Sequence, residues 1–419
     1  MTDFSELLRI QPTGHSTGAK EICSGGGQDL FPTRHSRSGA APMLFVESIG
    51  SNQLDQLIAP WTNLAERALE PNIFFHPAFM LPALTHVTGP QNLKLLLAWE
   101  KAETTTRGRL LALWPVVDHG GLAPSLTTWR HDYCCLGAPL LDRAQAWAGL
   151  DAIVRHLRAD GRRAPIVGIE QLRRDGPFFS LVTRYIRQQG LEIEFLAQYE
   201  RAVLDVTRGE SAKTNSVSSK KGKELRRQSR RLHERGSVSF GVAEQGDALN
   251  RQIEAFLALE AKGWKGKDGG AFLRRPERAA FLRIVTRMLG HSARCRIYWL
   301  ACNENIIASN IIFIDNGIAY FWKTAYDEKF AALSPGVQLT LQMTDSLLNE
   351  PKLKWVDSCA IPQHPMINHI WRTEEPFVDI LFSCRRGRDL TLRGIAWRER
   401  LHRSAHETIK SFVAKARTK

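Results

Sequence analysis

IAYFWKTAYDEKFAALSPGVQL, residues 318–339, is the stretch on which the fold turns. Its aromatic and β-branched start, Ile318 to Thr324, has strand composition and runs into a charged loop. Ser334-Pro335-Gly336 follows, and the apolar positions Val337, Leu339 and Leu341 come immediately after. The order is strand, loop, helix start. The first turn of a helix leaves backbone N–H groups without partners, and the macrodipole adds positive charge there. Pro335 suits the first helical position, because its missing N–H is no loss. Gly336 lets an anionic group approach the backbone, and Gln338 offers a side-chain donor. Two readings stay open on these residues alone: a tight turn that begins a helix, or a helix end that receives an anion such as a pyrophosphate.

Working outward, "CRIYWLACN" (295–303) and "NIIASNIIFID" (305–315) read as strands. They are joined by Asn303-Glu304-Asn305, and Asp315-Asn316-Gly317 leads into 318–326, which completes a three-strand meander. A strand at 237–243 and helices at 248–262 and 276–290 precede it. A strand at 354–360, a helix at 364–372 and a strand at 377–382 follow the helix that starts near Pro335. The order β-α-α-β-β-β-α-β-α-β is the most informative feature of the sequence. The first half follows similar logic. Strands are expected at 43–49, 93–99 and 109–117, the last two as a hairpin, and at 165–172 and 192–206. Helices are expected over 52–68, from 76, over 143–159 and over 177–189. Alternation of this kind indicates an α/β architecture built on a mixed sheet, α+β in character.

The composition sets bounds. A chain of 419 residues, 43% hydrophobic, is long enough for two or three domains with cores of their own. A net charge of +14 and a pI near 9.7 favour anionic partners, namely phosphate-bearing cofactors, nucleic acid or an acidic membrane surface, against the alternative of a merely basic soluble protein. Seven cysteines, of which Cys134 and Cys135 are adjacent and the other five scattered, show no CxxC spacing and argue against a disulfide framework and against a zinc site, so no metal is expected. No apolar run spans a bilayer and the N-terminus lacks a secretory pattern, so a cytoplasmic protein is expected. Residues 1–42, rich in Ser, Gly, Thr and Pro, read as a disordered leader. Domains are expected over 43–210 and 237–385, separated by a basic helical junction over 211–236 and followed by a basic helix over 386–419.

The meander, the Pro/Gly helix start and the strand after it resemble the GNAT acyltransferase fold. More closely, "EAKGWKGKDG" (260–269), residues 307–339 and "WVDSCAIPQHPMINHIW" (355–371) are similar to the CelD-type acetyltransferase branch, itself related to the FemAB aminoacyltransferases. The first half carries the resemblance less specifically, through "PNIFFHPAFMLPAL" (71–84), "LLALWPVV" (110–117) and "HDYCCLGAPLL" (131–141). Of the family's Arg/Gln-x-x-Gly-x-Gly/Ala pyrophosphate loop only Gly336 is matched; Val337 and Gln338 stand where a second small residue is expected. The resemblance implies tandem GNAT-like acyl-CoA N-acyltransferase domains, the second catalytic and the first degenerate. It implies acyl transfer from acetyl-CoA or another acyl-CoA to an amine, the acceptor being a sugar or a cell-envelope precursor.

The same resemblance lays the cofactor between splayed strands 318–326 and 354–359, with Lys323, Thr324, Ala325, Ser334, Pro335, Gly336, Val337, Gln338 and Leu339 around it. Backbone N–H groups near Lys323 to Tyr326 would polarise the thioester oxygen. Asp357, in an apolar strand, is the first choice of base, against a structural Asp that satisfies backbone donors. Glu260, with Trp264 and Lys265 and near Trp322, marks the expected acceptor pocket, against a plain helix end closed by Gly263. Tyr326 is expected to protonate the departing thiolate, against a strand aromatic covering the core. His364 and His369, five apart, do not read as a ligand pair, and His131-Asp132-Tyr133 reads as structural.

Two basic segments remain. Residues 220–235 carry eight Lys and Arg, and a charge run is ordinarily a solvated face; the FemAB alternative makes it a tRNA-backbone contact. Residues 391–417 form a loose apolar stripe among arginines, which packs on the fold or lies on an anionic membrane surface. The remaining alternative is a non-catalytic scaffold, whose sign would be bulky side chains filling the splay beside Gly336.

Overall fold

The computed structural model describes residues 43–50, 54–87, 92–101, 108–120, 124–159, 165–209, 219–263, 266 and 269–417, with backbone alone at 219–221 and 406–417. The expected leader, the 211–218 part of the junction and the Trp264–Lys265 pair lie outside the described residues.

In the first half, β1 (Leu44–Ile49) leads to α1 (Ile58–Glu66) and α2 (Pro77–His86). Strands β2 (Leu93–Glu100), β3 (Arg109–Asp118) and β4 (Ser125–Thr128) follow, with a two-residue β5 (Leu140–Leu141) on β3. Then come α3 (Ala146–Ala159), β6 (Ile166–Arg173), α4 (Pro177–Gln189) and β7 (Leu191–Asp205). After α5 (Ser219–His233), the second half repeats the sequence: β8 (Val238–Ala243), α6 (Gly246–Lys262), α7 (Pro276–His291), β9 (Cys295–Cys302), β10 (Asn305–Asp315), β11 (Ile318–Tyr326), α8 (Pro335–Leu348), β12 (Trp355–Asp357) and β13 (Thr373–Arg386). The chain ends in α9 (Leu390–Arg417).

All of these strands form a single mixed sheet in the order β1-β2-β3-β4-β6-β13-β7-β12-β11-β10-β9-β8. The order is a palindrome of two halves. Each half is an antiparallel meander, then a parallel step, then a closing strand. The parallel steps are β4 on β6 and β11 on β12, each only three residue pairs long. The closing strands are exchanged. β13, from the end of the second half, pairs with β6 of the first, and β7, from the end of the first half, pairs with β12 of the second. β7 and β13 then pair with each other along most of their length. Pro42–Lys419 is therefore one compact unit.

The expected hairpin of β2 and β3 and the meander β9-β10-β11 are present. β3 is an unbroken apolar run, buried on both faces, because it lies inside the sheet with helices over it. Two expectations differ. The helix expected over 364–372 is a single 3-10 turn, Ile367–His369. Ile367, Ile370 and Trp371 all point into the core there, and Trp371 Nε1 donates to Thr344 Oγ1 (3.0 Å), so the segment is a plug held by side chains. The strand expected over 377–382 is fourteen residues long, because β13 is hydrogen-bonded on both edges.

Candidate active site

The two parallel strands that were expected to splay do so. β11 and β12 are registered only from Ile318–Trp355 to Tyr320–Asp357, and β11 continues alone to Tyr326. β11 also carries a bulge. Ile312 pairs with Phe321 and Ile311 with Lys323, leaving Trp322 as the extra residue, so the backbone beside the splay leaves the regular ladder.

A cavity of about 520 Å³ opens where β11 runs on alone. Its walls include Thr324, Ala325 and Tyr326 of β11, and Ser334, Pro335, Gly336 and Val337 at the start of α8. Leu259, Glu260 and Gly263 close it from the end of α6, and His364, Pro365 and Met366 from the plug.

The helix start has an unusual property. Ser334 stands at the N-cap in the left-handed region (φ 51°, ψ 51°), and its hydroxyl makes no capping hydrogen bond. An N-cap serine normally satisfies the N–H of the second or third helical residue. Here those residues are Gly336 and Val337, both in the cavity wall, so the donors at the positive end of α8 face it uncapped. A Cβ built on Gly336 would meet nothing nearer than Tyr326 Cδ1, at 3.6 Å. The glycine is thus not demanded by its neighbours, and among the described residues the Tyr326 ring is the side chain that stands nearest to it. Gln338, expected as a donor to the anion, has its Nε2 on the Leu333 carbonyl oxygen (2.7 Å), bracing the loop instead. Leu339 is wholly in the core.

Thr324 Oγ1 donates to Asn310 Oδ1 (2.8 Å), Asn310 Nδ2 reaches Thr340 Oγ1 (3.4 Å), and Thr340 Oγ1 donates to the Gly336 carbonyl oxygen (2.8 Å). Asn310 and Thr340 are fully buried, so this chain ties the cavity strand to the first turn of α8.

Of the acid–base candidates, Glu260 and Tyr326 line the cavity and Asp357 does not. Glu260 ends α6, is buried, and accepts the Phe272 N–H on Oε2 (2.9 Å). Tyr326 is partly exposed beside Gly336. Asp357 is sealed away. Its Oδ2 pairs with Arg201 Nη1 (3.0 Å) and its Oδ1 accepts the Cys359 N–H (2.7 Å). Burial opposes the Arg201 charge, but Asp357, with Tyr199 and the two nearby cysteines, outweighs it and holds the guanidinium above its ordinary range. Arg201 also donates to the Cys135 carbonyl oxygen (2.9 Å) and stacks on Phe377 at 3.9 Å. The aspartate is the partner of a buried cation, as in the structural alternative.

Trp322 and Lys323 likewise face away from the cavity, because the bulge turns both toward the other half. Trp322 is buried, and its Nε1 donates to the Tyr133 carbonyl oxygen (2.9 Å). Lys323 Nζ lies over the rings of Tyr133 (5.0 Å), Trp322 (5.3 Å) and Phe272 (5.9 Å). These residues join the halves, together with His131, whose ring packs edge-on against Phe281 of α7.

His364 lines the cavity too, although its spacing from His369 does not mark it as a site residue. Its Nδ1 accepts the Met366 N–H (3.2 Å) and burial lowers its pKa, so the ring is neutral with its proton on Nε2. The only sequence signal was the His-Pro pair in the plug.

The turn into α3 is filled by Asp142, whose Oδ1 accepts the Ala144 N–H (2.8 Å) and whose carboxylate pairs with Arg67 and Arg109. That carboxylate braces the turn two residues before the helix begins.

Residues 219–363, about a third of the chain, match the family described as acetyltransferase (GNAT) domain. The chain carries a GNAT N-acyltransferase domain. The match begins with α5, spans the meander, the uncapped start of α8 and β12, and stops within the plug, so it contains every cavity wall except His364, Pro365 and Met366. No curated protein matches the sequence. Among solved structures the chain is similar to FemX (7% identity, 80% of this chain and 96% of that one, TM-score 0.49). It is also similar to L-PGS from Bacillus licheniformis (15%, 68% and 84%, 0.43) and to a tandem GNAT protein from the clavulanic acid biosynthesis pathway (14%, 83% and 100%, 0.39). Among the described residues, no group of His, Cys, Asp and Glu is placed to hold a metal ion.

Proposed function

We propose that the chain transfers an acyl group from an acyl-CoA thioester to an amine, by direct attack in a ternary complex. The observation that carries this reading is the uncapped start of α8, whose donors face a cavity at the splay. Gly336 and Val337 would hold the pyrophosphate, and the chain beside the β11 bulge would direct N–H groups at the thioester oxygen. The amine nitrogen attacks the carbonyl carbon, the C–N bond forms and the C–S bond breaks. Glu260, the carboxylate in the cavity wall, takes the amine proton, and Tyr326 at the mouth gives one to the leaving thiolate. Asp357 has no part in proton transfer; with Arg201 it fixes β12 against β7. The first half acts as a support. The CelD-type resemblance makes the acceptor an amino sugar or another cell-envelope precursor.

A thermal-shift screen across CoA thioesters tests this. Acetyl-CoA or a longer acyl-CoA should raise the melting temperature of the chain, and Gly336→Glu should abolish the rise. No shift with any thioester overturns the reading.

A second reading, an aminoacyl-tRNA donor of FemAB type, is favoured by one observation. The basic helix α5 packs on the segment leading into α8: Gln228 Nε2 donates to the Ala332 carbonyl oxygen (3.3 Å), and Arg235 lies over Phe330 at 5.7 Å. Arg226, Arg227, Arg230 and Arg231 are exposed on that helix. Salt-sensitive tRNA binding, lost when those four are neutralised, would support this reading; no tRNA binding at low salt removes it.

A further inference from the structure

The helix α9 has two apolar faces, and only one is covered. Its inner face is fixed to the sheet. Leu392 and Ala396 are fully buried against Ile166 and Leu381, and Ile395 packs beside them. Arg393 pairs with Glu192 (2.6 Å), Arg400 with Glu194 (2.6 Å), and Arg403 with Glu170 and Asp379. Asp389 caps the helix through the Thr391 N–H (2.9 Å). The orientation of α9 about its own axis is therefore set.

That orientation turns Leu390, Trp397 and Leu401 outward, 79%, 65% and 51% exposed. At about 100° per residue these three fall within about 40° of one another, roughly opposite Leu392 and Ala396, along about 16 Å of helix. A surface helix normally presents charged and polar residues on that side. Here a tryptophan and two leucines occupy it, with Arg398 exposed on one flank, Arg393 and Arg400 on the other, and Arg388 exposed just before the helix. The sequence from 386 to 419 carries ten Lys and Arg against three Asp and Glu, which accounts for half of the chain's net +14.

We propose that the outer face of α9 docks the protein on an anionic lipid surface. The apolar stripe would enter the headgroup boundary with Trp397 at the interface, and the flanking arginines would meet lipid phosphates. Charge and size select this occupant. A nucleic-acid backbone would use the arginines but has no use for exposed leucines. A stripe of on the order of 150–200 Å² is far below the roughly 800 Å² per partner of a stable protein interface, so a second copy of the chain is a poor fit. Among the described residues no helix is long and apolar enough to cross a membrane, so the contact proposed is interfacial.

The test is co-sedimentation of the full chain with vesicles of phosphatidylcholine, alone or containing phosphatidylglycerol. The chain should sediment with the phosphatidylglycerol vesicles, less so as salt is raised, and remain in solution with phosphatidylcholine alone. Leu390→Ser, Trp397→Ser and Leu401→Ser together should lower the bound-to-free ratio about ten-fold or more. Because these side chains lie on the exposed face of the helix and not in its buried contact, far-ultraviolet circular dichroism and melting temperature should change little. Arg388→Gln with Arg398→Gln should weaken binding and flatten its salt dependence, with the apolar stripe intact. The proposal is overturned if no vesicle retains the chain, or if the triple variant sediments like the parent. It is equally overturned if that variant's only effect is to dissociate a dimer or to release bound RNA.

Discussion

Ser334 and Gly336 divide the work at the start of α8. Ser334, held at a positive φ, removes the cap, and Gly336 removes the side chain that would stand over the exposed N–H groups. Since a Cβ at Gly336 meets nothing closer than 3.6 Å and its φ is not positive, Gly336→Ala should fold normally. Its stability should match the parent or exceed it by about 0.5–1 kcal/mol, because alanine is the better helix residue. Acyl-CoA should nonetheless bind more weakly, so calorimetric titration would show lost affinity at undiminished thermal stability. Weakened folding would mean that the glycine is there for packing. Glu260→Gln keeps the acceptor for the Phe272 N–H and removes the base. It should lower kcat by about 10²–10⁴ with the acyl-CoA KM little changed, as steady-state kinetics would show.

At the scale of elements, the site depends on how far two strands stay together. β11 and β12 separate after three residue pairs, and the Thr324–Asn310–Thr340 chain then sets α8 against the free part of β11. Asn310→Leu would leave the Thr324 and Thr340 hydroxyls without that buried partner and should cost about 1–3 kcal/mol in a urea melt. The N-terminus of α2 offers a separate check. His76 caps it through Nδ1, accepting the Ala78 N–H (3.1 Å), while its Nε2 is buried without a partner. Burial, with the nearby Arg294 charge, lowers its pKa to about 3, and burial, with Arg130 and Lys323, lowers that of His131 to about 3 as well. In the unfolded chain both would bind a proton near pH 6.5. Between pH 6.5 and about 3 the unfolded state therefore holds more protons, and stability falls as pH falls, by about 1.4 kcal/mol per pH unit for each histidine. Melting temperatures measured across that window should drop steeply. His76→Asn, which keeps a capping side chain, should remove about half of the slope.

The whole molecule is held by exchange. β7 closes the second half and β13 closes the first, and Arg201 of β7, paired with Asp357 of β12, sits where the exchanged strand meets its new neighbour. Asp357→Asn leaves a buried guanidinium without its counter-charge. It should cost about 3–5 kcal/mol, read as a single earlier transition in urea, because neither half owns a complete sheet. Two separate transitions would show that the halves unfold independently. Docking through α9 belongs to this scale too, since the helix lies across β7 and β13 where the halves join.

The sequence by itself determined the elements and their order. Period-two and unbroken apolar runs marked the strands, Asn-Glu-Asn and Asp-Asn-Gly marked the meander turns, and Ser334-Pro335-Gly336 marked the start of α8, because each of these signals is local to a few residues. The GNAT-like order and most of the cavity wall on β11 and α8 could be read from it. Only the tertiary structure decided which carboxylate faces the cavity. Asp357 read as an acid in an apolar strand and Glu260 as an acid at a helix end; whether an arginine 156 positions away in the chain claims one of them depends on the path of β7. The bulge that turns Trp322 and Lys323 away, the plug that brings in His364, and the exchange of closing strands are long-range in the same way. They arise from pairings between segments far apart in the chain, which leave no periodicity in either segment alone.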